Sequence, residues 1–273
     1  MAEAADHPPL PPEGVDNEPL SRQELADIVD LSLWAGQLLM QNGAESLRIE
    51  ETIHHLGTAL GCDWMDIFVS SNDIAVTTIS GLDFRTKIRR VVGMKVNMTI
   101  VAGVSRLSRR VEHGELNRAQ VRAELERIAS AEHHYPRWLT VVMVGLACAA
   151  FSRLFGGDWA IFGMTFVASS LALIVRQELT QRNFNALLIT VVTAFVAGLL
   201  ASSAIWVSAS PQTALAASVL LLVPGVPLIT AAEDIITGHL VVGLARGFYG
   251  TLVTLAIALG LLLAVNLTGV GGL

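Results

Sequence analysis

The sequence predicts two joined architectures: an α+β N-terminal domain in the cytoplasm, then an all-α membrane domain of five transmembrane helices, one broken at a Pro-Gly-x-Pro motif. Three observations carry this. Residues 1–137 hold 14 Lys/Arg and 20 Asp/Glu, whereas residues 138–273 hold four of each, and eight charges in 136 residues cannot coat a soluble domain. In the first half the apolar spacing switches from a helical period to short β-rich runs and back. In the second half an apolar stretch, Leu220 to Asp234, is interrupted by Pro224, Gly225 and Pro227 and ends in two carboxylates.

Residues 1–20 carry five of the nine prolines, five acids and no Lys or Arg, which reads as a disordered acidic tail. With neither a positive start nor an apolar core it is not a signal peptide, so the N-terminus is expected inside. The domain of residues 21–137 opens with a capping box, Ser21 to Glu24, and a helix to about Gln41. Asn42-Gly43 stops that helix. A second helix runs from about Ala44 to Leu60, with Ile49, Ile53, Leu56 and Leu60 as its buried stripe. Asp63–Ser70, Ile74–Ser80 and Phe84–Val92 read as a three-stranded antiparallel meander with turns at 71–73 and 81–83. Helices over about Asn97–His113 and Ala119–Ala131 complete the domain.

Twelve of the 18 basic residues lie between 85 and 137, and positive charge flanking a first span holds that side in the cytoplasm. The membrane domain, residues 138–273, accommodates spans at about Trp138–Leu154, Trp159–Val175, Phe184–Val207, Thr213–Ala232 and His239–Val265, the first two short. Alternation places the loop 176–183, with Arg176 and Arg182, inside and the C-terminus in the periplasm. Trp138, Trp159 and Trp206 sit at span ends as interfacial anchors.

Proline removes a backbone donor and clashes with the preceding turn, so Pro224 and Pro227 break or kink their helix. Freed carbonyls at membrane depth need protein or a watery cavity, and interrupted helices are a usual solute site in transporters. A plain kink is the bland alternative. Glu233, Asp234, His239 and Arg246 lie beside the break or in the next span, where ionisable groups are expensive. Arg246 offers a fork of donors that suits either a carboxylate solute or Asp234. It also suits an interfacial anchor, because residues 247–266 alone are long enough to span. Gly238, Gly243, Gly247 and Gly250 permit close helix approach. In the first domain the densest polar cluster is Asn42 to Glu50, where Glu45 and Arg48 form an ordinary helix pair.

The composition excludes several classes. Cys62 and Cys148 form no C-x-x-C pair, and the adjacent pairs His54-His55 and His133-His134 each point to two helix faces, so neither a metal nor a structural disulfide is expected. No Walker loop, G-x-S-x-G or H-E-x-x-H occurs, which leaves an ATP-driven pump or a standard hydrolase unsupported and implies no cofactor. Basic residues are not interleaved with aromatics as in nucleic-acid modules.

Gly43-Ala44-Glu45-Ser46 with Arg48 and Glu50, then Pro224-Gly225-Val226-Pro227, Asp234 with Gly238, and Gly243 with Arg246 resemble the threonine/serine exporter family, over residues 25 to 265. More narrowly they resemble the larger, YjjP-type subunit of its split form. The resemblance implies an inner-membrane exporter rather than an enzyme. It further implies a second, small, all-membrane subunit (YjjB-like), because the fused members carry further spans after the fifth. Split members are associated with succinate and fused members with threonine and serine. Succinate or another small dicarboxylate is therefore the expected substrate, with an amino acid as the alternative. Asp234 or Glu233 would carry a coupling proton. A membrane-tethered enzyme using Glu45, Arg48 and Glu50, and a membrane sensor, are the competing classes.

Overall fold

The computed structural model describes residues 20–80, 83–93, 95–130, 135–206 and 210–269. The acidic tail before residue 20, the turn at Gly81-Leu82 and the pair His133-His134 lie outside the described residues. The chain divides into two compact units, Met1–Glu132 with Ile229–Arg246, and His133–Leu228 with Gly247–Leu273.

The first unit contains α1 (Arg22–Gln41), α2 (Ser46–Ala59), β1 (Trp64–Val69), β2 (Asp73–Ser80), β3 (Asp83–Arg90), α3 (Met98–Glu112) and α4 (Arg118–Ala129). Local chemistry sets the boundaries. Ser21 accepts the Glu24 N–H while Glu24 reaches back to Ser21, closing the expected capping box. Asn97 and Asn117 cap α3 and α4. The strands form an antiparallel meander in the order β1-β2-β3. Ile28, Val29, Leu33, Ile49, Ile53, Leu56, Met65, Ile74, Val76 and Val104 form its core. Gly36 allows α1 and α2 to touch, since a Cβ there would come within 2.9 Å of Ile53 Cγ1.

Strand β3 is turned against the usual pattern. Register places Arg89 beside buried Ile74 and Lys87 beside buried Val76, so these two basic residues face α1. Lys87 pairs with Asp30, which also has Arg89 at 3.7 Å. Phe84 and Ile88 point outward instead, 75% and 67% exposed. Between α1 and α4, Glu24 takes Arg118 at 2.6 Å and Asp27 takes Arg122. The Arg118 contact, with the Ser21 bonds, lowers the Glu24 carboxyl to about 2.

The second unit is helical: α5 (Arg137–Leu154), α6 (Trp159–Gln181), α7 (Ala186–Ser202) with a 3₁₀ turn at Ser203–Trp206, α8 (Pro211–Ser218), a 3₁₀ turn at Leu220–Leu222, and parts of α9 (Gly225–Ile236) and α10 (Leu240–Thr268). Four helices (α5, α6, α7 with its 3₁₀ turn, and α10) are long and apolar enough to cross a membrane. Pro211–Leu222 with Gly225–Ile236 makes a fifth candidate, bent by 66°. Buried Ala168, Ala172, Ala194, Ala197 and Ala201 let the helices approach closely, and a Cβ at Gly198 would fall 2.8 Å from Ala264 Cβ.

Two boundaries differ from expectation. The second span is not short: α6 has 23 residues, and Arg176 lies in its helix rather than in a loop. The third helix gives way to 3₁₀ geometry at Ser203. At the break, Val223 N–H bonds Leu220 O at 3.2 Å, Gly225 N–H bonds Val223 O at 2.9 Å, and Leu228 N–H bonds Pro224 O at 3.1 Å. Leu221 O, whose helical partner would be the Gly225 N–H, instead accepts Arg176 Nη1 at 3.0 Å.

Candidate functional site

The site begins where α1 ends. Gly43 takes a left-handed backbone, φ 90°, and the Ala44 N–H bonds Leu39 O at 3.1 Å, turning the chain into α2. The N-cap of α2 is Glu45, whose carboxylate does not cap but pairs with Arg48 Nε at 2.7 Å. An N–H of the first turn is therefore left for another acceptor. Asp234 supplies it: Oδ1 accepts the Ser46 N–H at 2.8 Å, across 188 residues of sequence. A carboxylate at a helix N-terminus also meets the positive end of the peptide dipoles.

Asp234 is held there by the turn between α9 and α10. Gly238 adopts φ 92°, its N–H bonds Ile235 O at 3.3 Å, and the His239 N–H bonds Asp234 O at 2.7 Å. These two bonds are the Schellman closure of a helix. Gly238 thus serves a left-handed turn, not the close packing expected from its spacing, since nothing lies within 4 Å of a Cβ there. Gly243 does pack as expected: a Cβ would sit 2.8 Å from Ala231 O and 3.0 Å from Ile235 N. That approach brings α10 against α9 and sets Arg246 beside Asp234.

Asp234 is 0% exposed and Arg246 7%, with Arg246 Nη1 2.9 Å from Asp234 Oδ2. The distance marks an ion pair, but the N–H is poorly aimed, and Asp234 Oδ2, Arg246 Nη1 and Arg246 Nη2 have no aligned hydrogen-bond partner. We read the contact as Coulombic and end-on, not the two-pronged fork a guanidinium can form. Beside it, His239 Nε2 lies 3.0 Å from Glu50 Oε1, and its Nδ1 lies 3.2 Å from Thr237 Oγ1. Ser46 Oγ is buried with no partner.

The two residue groups separated in the sequence thus meet. Ser46, Glu50, Asp234, His239 and Arg246 form one cluster, with Gly43 and Gly238 as its turns. Glu45 and Arg48 flank it as a partly exposed pair. Glu233, the alternative proton carrier, is exposed and outside the cluster. Pro224, Gly225 and Pro227 lie at the break, where α9 begins. Thr237 and the Glu50–His239 contact were not anticipated. Their signal was the spacing Asp234, Gly238, His239, which a helix-closing turn uses.

The family profile ThrE, described as "Putative threonine/serine exporter", matches residues 30–268. The chain is 39% identical over 249 residues to the "Probable succinate transporter subunit YjjP" of Escherichia coli K12, covering 90% of this chain and 96% of that protein. It is 38% identical over 254 residues to the Klebsiella aerogenes protein of the same name, covering 92% and 98%. The "Threonine/serine exporter" of Corynebacterium glutamicum is 23% identical over 98% of this chain but 56% of its own length. No solved structure matches. With its apolar helices and its transporter relatives, this multi-pass membrane protein belongs to the threonine/serine exporter (ThrE) family.

Proposed function

We propose that the chain is the larger subunit of a two-component secondary exporter of small carboxylates in a cell inner membrane, with succinate as the first candidate and a small all-membrane protein as its partner. The carrying observation is the near end-to-end match to two proteins named succinate transporter subunits, against 56% coverage of the Corynebacterium exporter. The geometry agrees with transport rather than turnover by the first domain. The polar groups converge on helix ends and a helix turn, and Glu45 and Arg48 form an ordinary surface pair. Buried Asp234, not exposed Glu233, is the candidate for a coupling proton. Taking up a proton there would weaken the pair with Arg246 and leave the α2 N-terminus capped by a neutral acid. The α9–α10 turn would then be free to move with the broken span. Glu50, His239 and Thr237 would set how tightly that turn is held.

The decisive measurement is efflux of labelled succinate and threonine from cells expressing this chain and a YjjB-like protein, singly and together. Succinate efflux only from the pair is expected. Threonine efflux without succinate efflux would move the chain to the second reading, an amino-acid exporter, which the more distant relatives favour. The N-terminal domain is proposed to be cytoplasmic and the C-terminus periplasmic. Both native cysteines are buried, so a cysteine placed at Ser210 should label from outside and one at Gln181 should not. The opposite pattern would invert the topology.

A further inference from the structure

Four arginines lie beyond residue 137, and three have their charge accounted for locally. Arg182 pairs with Glu178 at 3.2 Å. Arg246 pairs with buried Asp234. Arg153 is exposed at the end of α5, donates to Gly157 O at 2.5 Å and lies 4.6 Å over the Trp159 ring, an arrangement suited to a membrane interface. Arg176 differs. It is half-buried, five residues before the end of α6, and among the described residues no carboxylate pairs with it. Among the described residues its side chain makes one hydrogen bond, donated to Leu221 O.

One bond to a carbonyl uses one of five guanidinium N–H groups. Capping the orphaned carbonyl explains why a donor is needed at Leu221, but a neutral glutamine or serine would do that. It does not explain a full charge on the carbonyl of Leu221, a residue that packs against the apolar cluster of Ala194, Leu222 and Val253 at this break. A charge in an apolar span without a countercharge is costly and marks a pathway for the missing ion. The position fits: Leu221 lies three residues before Pro224, where the helix is interrupted. We propose that Arg176 receives the carboxylate of the transported solute at this break. Its bond to Leu221 O would fix the guanidinium while its remaining edge takes the anion. Arg246, already neutralised by Asp234, is then a positioning residue for the α9–α10 turn. The proposal rests on reading the chain as a carboxylate exporter.

The test uses this chain together with a YjjB-like partner in lipid nanodiscs, with radiolabelled succinate as probe and the uncharged diamide succinamide as competitor. Wild type should bind succinate, displaced by unlabelled succinate and not by succinamide. Arg176→Gln retains a donor for Leu221 O and loses the charge. It should bind succinate at least ten-fold more weakly at an unchanged melting temperature, since a hydrogen bond to a charged group is worth about 10- to 150-fold in affinity. Wild-type affinity in that variant overturns the assignment of Arg176 and leaves the exporter reading intact. A wild type that binds neither succinate nor threonine overturns both. Should Arg176→Gln not reach the native melting temperature, the unaltered protein decides. Succinate, and not succinamide, should slow modification of Arg176 by phenylglyoxal, and equal rates would sink the proposal.

Discussion

Two interruptions in the second half of the chain are made by opposite means. At Leu222–Gly225 the cause is a missing donor: Pro224 and Pro227 have no N–H, and Leu221 O is taken by an arginine from another helix. At Thr237–His239 the cause is a left-handed glycine, and the turn satisfies its own carbonyls through the Gly238 and His239 N–H groups. The self-satisfied turn then uses its neighbours, Asp234 and His239, to hold another helix. The proline break depends on a neighbour to be satisfied at all. A break that satisfies itself can serve as a fixed structural joint, whereas one that borrows its partner is suited to exchanging that partner for a ligand.

The largest effect should come from Asp234→Ala, which removes the Arg246 countercharge and the α2 cap together. Breaking a buried pair from one side costs about 3–5 kcal/mol, read as lost yield or a lowered melting temperature in detergent. The reciprocal swap Asp234→Arg with Arg246→Asp should not rescue it, because a guanidinium would then face the Ser46 N–H. Full rescue would reduce the cluster to a simple ion pair.

Substitutions at the two interruptions should separate structure from transport. Gly238→Ala forces a side chain into φ 92° and should cost about 1–2 kcal/mol. Pro224→Ala restores a donor to a helix and should leave the melting temperature unchanged or higher while succinate efflux falls. Normal efflux from Pro224→Ala at matched protein level would make that break a passive kink.

The smallest effect concerns an exposed pair between α1 and α4. The Glu24 carboxyl is lowered in the folded protein, so its contribution is present above the unfolded carboxyl range near 4.3 and fades as pH falls through about 2. The melting-temperature difference between wild type and Glu24→Gln should be constant above pH 5 and vanish towards pH 2. A difference that persists at pH 2 would show that it does not come from the charge of Glu24.

Where a boundary is set by a local motif, the sequence located it closely. Ser21, Asn42-Gly43 and the spacing of Ile49, Ile53 and Leu56 place α1 and α2 within two residues. The end of α6 was missed because Arg176 and Glu178 read as a loop. A charge continues a helix when some distant group receives it, and Leu221 O is invisible to local periodicity. The cluster was legible as two halves: Ser46 and Glu50 in one motif, Asp234 and Arg246 in another. Nothing in either half states that they meet, since helical spacing reports which face a residue occupies and not what covers that face. Strand β3 shows the same limit. Its alternation is plain, yet Asp30 and Gln37 on α1 are what Lys87 and Arg89 turn inward to meet while Phe84 points out.

The bond between Ser46 and Asp234 also has a consequence for biosynthesis. A ribosome adds roughly 5–20 residues per second, so the acceptor is made roughly 10–40 s after the donor. Until then α2 begins with an uncapped N–H and Glu50 has no His239 to meet, although the strands and α1 to α4 are already complete. The N-terminal domain would therefore mature in two stages, the second waiting for synthesis of most of the apolar chain. Its final closure reports that the turn after the broken span has been made and correctly placed.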